Sequence, residues 1–277
     1  MRVLLTGTSG FLGKEVAQLL EKQGAELYHL TRRSLDLVNE IVWDFTSPLP
    51  PLPRVDAFIH MAATVDFSDV TSKPLLDNAV PILHLAHWLA QNNIRLYYTS
   101  TASIHGQATH WGLSAPLSPS SPYIVSKLIG ERIFTSVRPQ ATIFRLGGIY
   151  GIHGPRHLGL NRAIDDAIFS GIPPVLYGSG RALRNYICVK DAASWISAEV
   201  INPTCQHNQA NILYLGGNEI LSIRKYLQTI IDVFLPGEVI QEYTGCESQD
   251  IIIDSSKSPI IGQTFKEYLK GIKDNKA

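Results

Sequence analysis

Short apolar runs alternate with stretches of helical spacing through the first half of the chain. Val3–Leu5, Glu26–Leu30, Ala57–His60, Arg95–Ser100 and Ala141–Arg145 read as strands. Several are apolar almost from end to end, the pattern of strands buried on both faces. Between them, Gly13–Gln23 carries Val16, Leu19 and Leu20 at helical spacing, and Pro74–Asn92 and Tyr123–Val137 are helical too. Strands alternating with helices predict an α/β chain: a doubly wound parallel sheet with helices on both faces. Pro81 falls inside the Pro74–Asn92 stretch and predicts a kink there. The four prolines of Ser47–Pro53 predict a stiff surface loop.

Beyond residue 150 the pattern changes. Gly, Pro and His cluster in Gly151–Gly159, followed by a predicted helix (Leu160–Ser170), a strand (Val175–Tyr177), a helix (Asp191–Val200) and a strand (Asn211–Leu215). Ser222–Phe234 and Gln263–Lys273 are again helical. The expected organisation is a nucleotide-binding domain over 1–150 and 188–217, interleaved with a smaller substrate lobe over 151–187 and 218–277.

Composition narrows the class. Of 277 residues, 45% are hydrophobic and 17% charged, a profile that supports a folded core. Lys and Arg number 24 against 24 Asp and Glu, so no net basic charge speaks for nucleic-acid binding. Cys188, Cys205 and Cys246 lie far apart and read as ordinary thiols of a reducing compartment. No apolar run approaches the roughly 20 residues that span a bilayer, and Met1-Arg2 leads straight into a strand rather than a signal peptide. A cytoplasmic protein without membrane contact is expected. His84 and His87 lie three apart, but with no third ligand they predict no metal site.

Chemistry gathers at two places. Thr6-Gly7-Thr8-Ser9-Gly10-Phe11-Leu12-Gly13 follows the first strand and opens the first helix. Glycines at this spacing permit a tight turn and let backbone N–H groups approach a pyrophosphate at a helix N-terminus; the bland alternative is a glycine turn without a ligand. The second strand ends in Leu30-Thr31-Arg32-Arg33-Ser34. An acid there would hold a ribose 2′-hydroxyl, whereas arginine accommodates a 2′-phosphate. The pair Arg32 and Arg33 therefore predicts NADP, with NAD as the alternative. The second place is Tyr123-Ile-Val-Ser-Lys127, a phenol and an ammonium on one helical face. The adjacent cation is expected to lower the tyrosine pKa and make Tyr123 a general acid/base. The preceding strand ends in Thr99-Ser100-Thr101, hydroxyls at the carboxyl end of a parallel strand.

These motifs together resemble the extended short-chain dehydrogenase/reductase superfamily, and within it the NAD(P)-dependent epimerase/dehydratase group acting on nucleotide sugars. The resemblance covers nearly the whole chain and implies a Rossmann-type fold. Thr6–Gly13 is similar to the family's glycine loop. Asp44, with Phe45 beside it, stands where the family's acid contacts the adenine end. His60-Met61-Ala62-Ala63 is similar to its strand end near the cofactor diphosphate, and Asn78 matches its helix asparagine. Thr101–Gly106 aligns with its Ser/Thr-x-x-Val-Tyr-Gly signature, implying Thr101, Tyr123 and Lys127 as the catalytic set. Arg145–Gly151, with Gly147, resembles the nicotinamide-side segment. Arg184–Asp191 resembles the segment whose arginine meets the substrate diphosphate, which implies Thr101 and Arg184 as substrate contacts.

Departures refine the expectation. His105 replaces a tyrosine, Leu146 a proline, and Pro81 stands where glycine is common. The family's 4,6-dehydratases carry Asp-Glu directly after the catalytic threonine; here Ala102-Ser103 stands there, which speaks against dehydration. The expectation is hydride chemistry at a nucleotide-sugar ketone or carbinol, a ketosugar reductase ahead of a cofactor-retaining 4-epimerase. A non-catalytic dinucleotide-binding sensor is the remaining class. The helices Pro74–Asn92 and Tyr123–Val137 resemble those through which family members form homodimers, although burial against the chain's own sheet gives the same pattern.

Overall fold

The computed structural model describes residues 1–204, 209–260 and 262–275. Cys205 lies outside the described residues. Strands β1 (Arg2–Thr6), β2 (Glu26–Thr31), β3 (Glu40–Val42), β4 (Ala57–His60), β5 (Arg95–Thr101), β6 (Thr142–Leu146) and β7 (Asn211–Leu215) form one seven-stranded sheet. Their order is β7-β6-β5-β4-β1-β2-β3. Every pairing from β6 through to β3 is parallel. The order reverses between β1 and β4, where Val3 faces Ala57 and Thr6 faces His60. This doubly wound Rossmann-type sheet puts ligands in the crevice at such a switch point.

Burial explains the apolar strands: Leu4, Leu5, Phe58 and Ile59 are fully inaccessible. The helices α1 (Phe11–Lys22), α2 (Lys73–Gln91) and α3 (Pro122–Val137) follow β1, β4 and β5. Ile82, Leu85 and Leu89 of α2 and Phe134 of α3 join Leu4, Phe58, Tyr98 and Ile143 of the sheet in one core. Pro81, where a kink was expected, lies inside α2. The helix runs unbroken through it with the ring buried, giving up the single backbone bond that proline cannot donate.

The chain divides into two compact units. The first comprises Met1–Gln107, Pro116–Leu146 and Ala193–Leu213 and holds the core just described. The second comprises Ala108–Ala115, Gly147–Ala192 and residues 214 onward. In the second unit α4 (Gly159–Asp165) widens into a π-type turn over Asp166–Ser170 and stops at Gly171, with φ 65°. Chain continuity between the units includes α5 (Val189–Ile201). The last two helices, α6 (Ile223–Phe234) and α7 (Phe265–Asp274), pack Tyr226, Ile230 and Ile231 with Phe265 and Leu269. A capping box between Thr264 and Glu267 starts α7 at Phe265, two residues later than the apolar pattern suggests. Among the described residues no helix is long and apolar enough to cross a membrane.

Candidate active site

The turn after β1 is built around glycine for steric reasons. Gly7 has φ 76°, and a Cβ there would lie 2.6 Å from the Ala62 nitrogen; one on Gly13 would lie 2.1 Å from the Gly7 oxygen. No larger residue fits either position without moving backbone. Gly10 N donates to Gly7 O at 2.9 Å and closes the turn. Helix α1 then begins with no side-chain cap and no acid in its first turn, so its positive end is left open to an anion. The Thr8 hydroxyl is buried without a hydrogen-bond partner. A tight glycine cradle, an open helix end and an orphaned hydroxyl are what a dinucleotide diphosphate requires, and the residues fit such a group.

This turn forms one wall of a 430 Å³ cleft. Gly7, Thr8, Ser9 and Gly10 line it from β1, Met61, Ala62 and Ala63 from the end of β4, and Arg32 and Arg33 from the end of β2. Phe45, and Asp77, Asn78 and Pro81 from α2, line it as well. Phe11, Leu12 and Gly13 are the first turn of α1 behind the loop, with Leu12 and Gly13 buried. Asp44 behaves differently from its neighbour Phe45. Its Oδ1 accepts Thr46 N, Ser47 N and the Ser47 hydroxyl at 2.8, 2.8 and 2.9 Å. The Ser47 and Thr46 amides, helped by the Ser47 hydroxyl, hold this carboxyl at about 2. Asp44 thus fastens its own turn, and Phe45 is the residue that reaches the cleft.

Thr6 organises the floor. Its Oγ1 accepts Met61 N and Ala62 N, both at 3.1 Å, and lies 2.8 Å from His60 Nδ1. A hydroxyl with two acceptor positions filled has one proton to give, so it donates to Nδ1 and the ring proton sits on Nε2. Burial, with Lys127 as a lesser cause, holds His60 down at about 3, so the ring is neutral. Asn78 on α2 plays a similar part: its Oδ1 accepts Thr64 N at 2.8 Å, and its Nδ2 donates to Ser126 Oγ at 3.0 Å.

Tyr123 and Lys127 face inward on α3, 7% and 3% exposed. Ile104, in the short turn Ala102–His105 after Thr101, packs with Tyr123 and Ile124, which brings the end of β5 to the start of α3. Thr101 Oγ1 accepts Ser103 N at 3.1 Å and keeps its proton to donate. The expected depression of the tyrosine pKa is not found. Burial pushes the Tyr123 phenol up, and the Lys127 ammonium lies over the ring of Tyr98, 4.4 Å from its centroid. Burial also brings Lys127 down to about 7, with Glu131 pulling it back up. The lysine, rather than the tyrosine, is shifted towards neutral pH.

Several supporting residues escaped the motif reading. Tyr98 stacks on His60, 5.7 Å between centroids, and passes under α3 at Gly130, where a Cβ would lie 2.4 Å from its Oη. Phe67 sets its edge against the Tyr123 ring at 4.9 Å. Glu131 forms a buried two-pronged pair with Arg145, at 3.0 and 2.7 Å; its place four residues after Lys127 on the same helix face was the available signal.

Gly147 and Arg184 belong to the second unit. Gly147 N donates to Leu215 O at 3.0 Å, and a Cβ there would lie 2.1 Å from Ile253 Cδ1. Arg184 Nη1 donates to Leu183 O and to Gln249 O at 2.8 and 2.6 Å. Next to it, Asn185 accepts Ile253 N and donates to Ile253 O and Gly217 O, a pattern of mixed donors and acceptor that an aspartate could not supply.

With this geometry in view, comparison with known proteins is specific. The chain is 26% identical over 225 residues to dTDP-glucose 4,6-dehydratase of Mycolicibacterium smegmatis, covering 70% of the chain and 68% of that protein. It spans about half the length, 53% and 52%, of the UDP-glucuronic acid decarboxylases it also matches. Among solved structures, UDP-N-acetylglucosamine 4-epimerase of Bacillus cereus superposes with a TM-score of 0.83 at 25% identity, over 98% of this chain and 95% of that one. UDP-glucose 4-epimerase of Thermus thermophilus, in complex with NAD, shares the fold with a TM-score of 0.78 at 20% identity, over 98% and 97%. The model of the NAD dependent epimerase/dehydratase family matches residues 3–208. The chain, with its glycine cradle at the switch point and Thr101, Tyr123 and Lys127 around α3, belongs to the NAD dependent epimerase/dehydratase family of enzymes.

Proposed function

We propose that the chain is an NAD(P)-dependent oxidoreductase acting at a ketone or carbinol of a nucleotide sugar, a ketosugar reductase with NADPH as its exchangeable donor. The observation that carries this reading is the cleft wall at the end of β2. Arg32 and Arg33 line it, no acid stands among Leu30-Thr31-Arg32-Arg33-Ser34, and among the described residues neither guanidinium is paired with a carboxylate. Two unpaired cations suit a 2′-phosphate, and a cofactor that exchanges each turn suits reduction. The likeness to the Bacillus cereus 4-epimerase favours a second reading, 4-epimerisation with a retained cofactor. Dehydration has less support, since Ala102-Ser103 follows Thr101 and neither can serve as a carboxyl acid or base.

The bound nicotinamide would supply hydride transfer. The chain supplies the rest. Tyr123 Oη delivers or removes the proton of the reacting hydroxyl, and Thr101 Oγ1 donates to the same oxygen. A phenol held high by burial keeps its proton at neutral pH, as reduction of a ketone needs. Lys127, at about 7, lies on the same helix face and can replace that proton and hold the cofactor ribose. Gly7–Gly13, Met61–Ala63 and Phe45 are assigned to the cofactor, Gly147 to its nicotinamide side and Arg184 to the substrate diphosphate. Leu76 and Leu83, seven residues apart on α2, are 54% and 57% exposed, which supports a homodimer through this helix.

The deciding experiment combines native mass spectrometry with turnover. A reductase copurifies with little dinucleotide and consumes one NADPH per nucleotide ketosugar reduced. Tightly held NAD and interconversion of sugars without added cofactor would establish the epimerase instead. For either enzyme, Tyr123→Phe is expected to lower turnover by about 10²–10⁴-fold while dinucleotide binding is retained. Equal activity in the variant would remove Tyr123 from the proton transfer, and dinucleotide binding without turnover in the unmodified chain would return it to a binding or sensing role.

A further inference from the structure

The loop that carries Arg32 and Arg33 is fastened by a residue outside the cleft. Glu40 opens β3 and stands opposite His29 in the parallel register with β2. Its Oε1 accepts the Thr31 hydroxyl at 2.9 Å and Leu35 N at 2.8 Å, and its Oε2 accepts the Ser34 hydroxyl at 2.8 Å. One carboxylate therefore ties Thr31, Ser34 and Leu35, and the two arginines are the residues spanning the gap between the ties. Thr31 through Leu35 all line the cleft, whereas Glu40 does not. The return of the loop is shaped around the same edge. Asp36 and Asn39 adopt φ of 54° and 56°, and Asn39 O accepts His29 N at 3.1 Å.

We propose that Glu40 is a positioning residue for dinucleotide selectivity: by binding Thr31, Ser34 and Leu35 it holds Arg32 and Arg33 where they distinguish a 2′-phosphate from a 2′-hydroxyl. The assignment rests on the reading of the arginine pair given above. It also separates geometry from charge. A carboxylate behind the arginines works against an incoming phosphate by simple repulsion, so its benefit lies in fixing the loop. Glutamine can make the same three contacts: its oxygen accepts from Thr31 and Leu35, and its amide donates to Ser34. Aspartate keeps the charge but is one methylene too short to reach all three.

The test is calorimetric titration of the full chain with 2′,5′-ADP and with 5′-AMP, and with NADPH and NADH. Glu40→Asp and Glu40→Ala are each expected to weaken 2′,5′-ADP and NADPH by about tenfold or more, while 5′-AMP and NADH change by less than about threefold. Glu40→Gln is expected to retain the preference of the unmodified chain. The proposal is overturned if E40D keeps the phosphate preference, if E40Q loses it as fully as E40A does, or if all four ligands weaken alike. Arg32→Ala/Arg33→Ala in the same titration keeps the two readings apart. Without loss of 2′-phosphate preference in that double variant, the arginine reading itself fails. Loss there combined with none in E40D and E40A removes only the role of Glu40.

Discussion

At the switch point one hydroxyl, Thr6 Oγ1, receives two amides and gives its proton to His60. The neutral ring that results has a pKa of about 3, against about 6.5 for an unperturbed histidine. Between those values the unfolded chain binds a proton that the folded chain refuses. Stability is therefore expected to fall as the pH drops from about 6.5 towards 3, with this ring contributing up to about 1.4 kcal/mol per pH unit. Urea unfolding across this range, compared with His60→Gln, checks it: the variant loses that part of the slope, and an unchanged slope contradicts the assignment. His60 is visible in the sequence as part of a strand-end motif. Its ionisation is not, because the burial that sets it comes from residues far away along the chain. The same reason reversed the expectation for Tyr123. Spacing shows that Lys127 is near, but the ring of Tyr98 beneath its ammonium and the shared burial are tertiary facts.

At the scale of elements, α3 carries Tyr123, Lys127 and Glu131 on one inward face, and the Glu131–Arg145 pair joins that face to β6. Both partners are almost fully enclosed, with side chains 5% and 7% exposed. Removing one leaves the other charged and buried, so Glu131→Ala is expected to cost about 3–5 kcal/mol in urea unfolding. Replacing both, Glu131→Met with Arg145→Met, is expected to recover most of that loss; a double variant as unstable as the single would show that the pair is not the source. The long helices and core strands were legible because their apolar periods are long and regular. The strand β3 was not, since three residues with no fully buried position give no pattern. Yet it brings Glu40 to the nucleotide loop. At Pro81 the apolar spacing that continues past the ring was the better guide to the extent of α2, which runs from Lys73 to Gln91.

For the whole molecule, 24 positive and 24 negative charges coexist with a cleft lined by Arg32 and Arg33, so a neutral total is compatible with local positive charge there, as the proposed binding of small anions requires. The second unit was the harder part to read. Its core joins Tyr150, Tyr226 and Phe265 from distant segments, and its strands are mostly two or three residues long, too short for alternation to register. Association of two copies through α2 would cover Leu76 and Leu83. Light scattering after size exclusion is expected to give a dimer mass for the unmodified chain and a monomer mass for Leu76→Glu/Leu83→Glu, with the fold intact by circular dichroism. A monomer in both cases would assign this face to solvent.

The bonds around Thr6 bear on what has to be ordered when the site is used. Because Met61 and Ala62 are tied down by the chain's own hydroxyl, the floor of the cleft is preformed, and a ligand meets a surface that has little backbone left to order. The entropic cost of association then falls on the ligand and a few side chains rather than on a segment of chain. Loosening those ties, as in Thr6→Val, is therefore expected to make a ligand carry an ordering cost that the folded chain otherwise bears in advance.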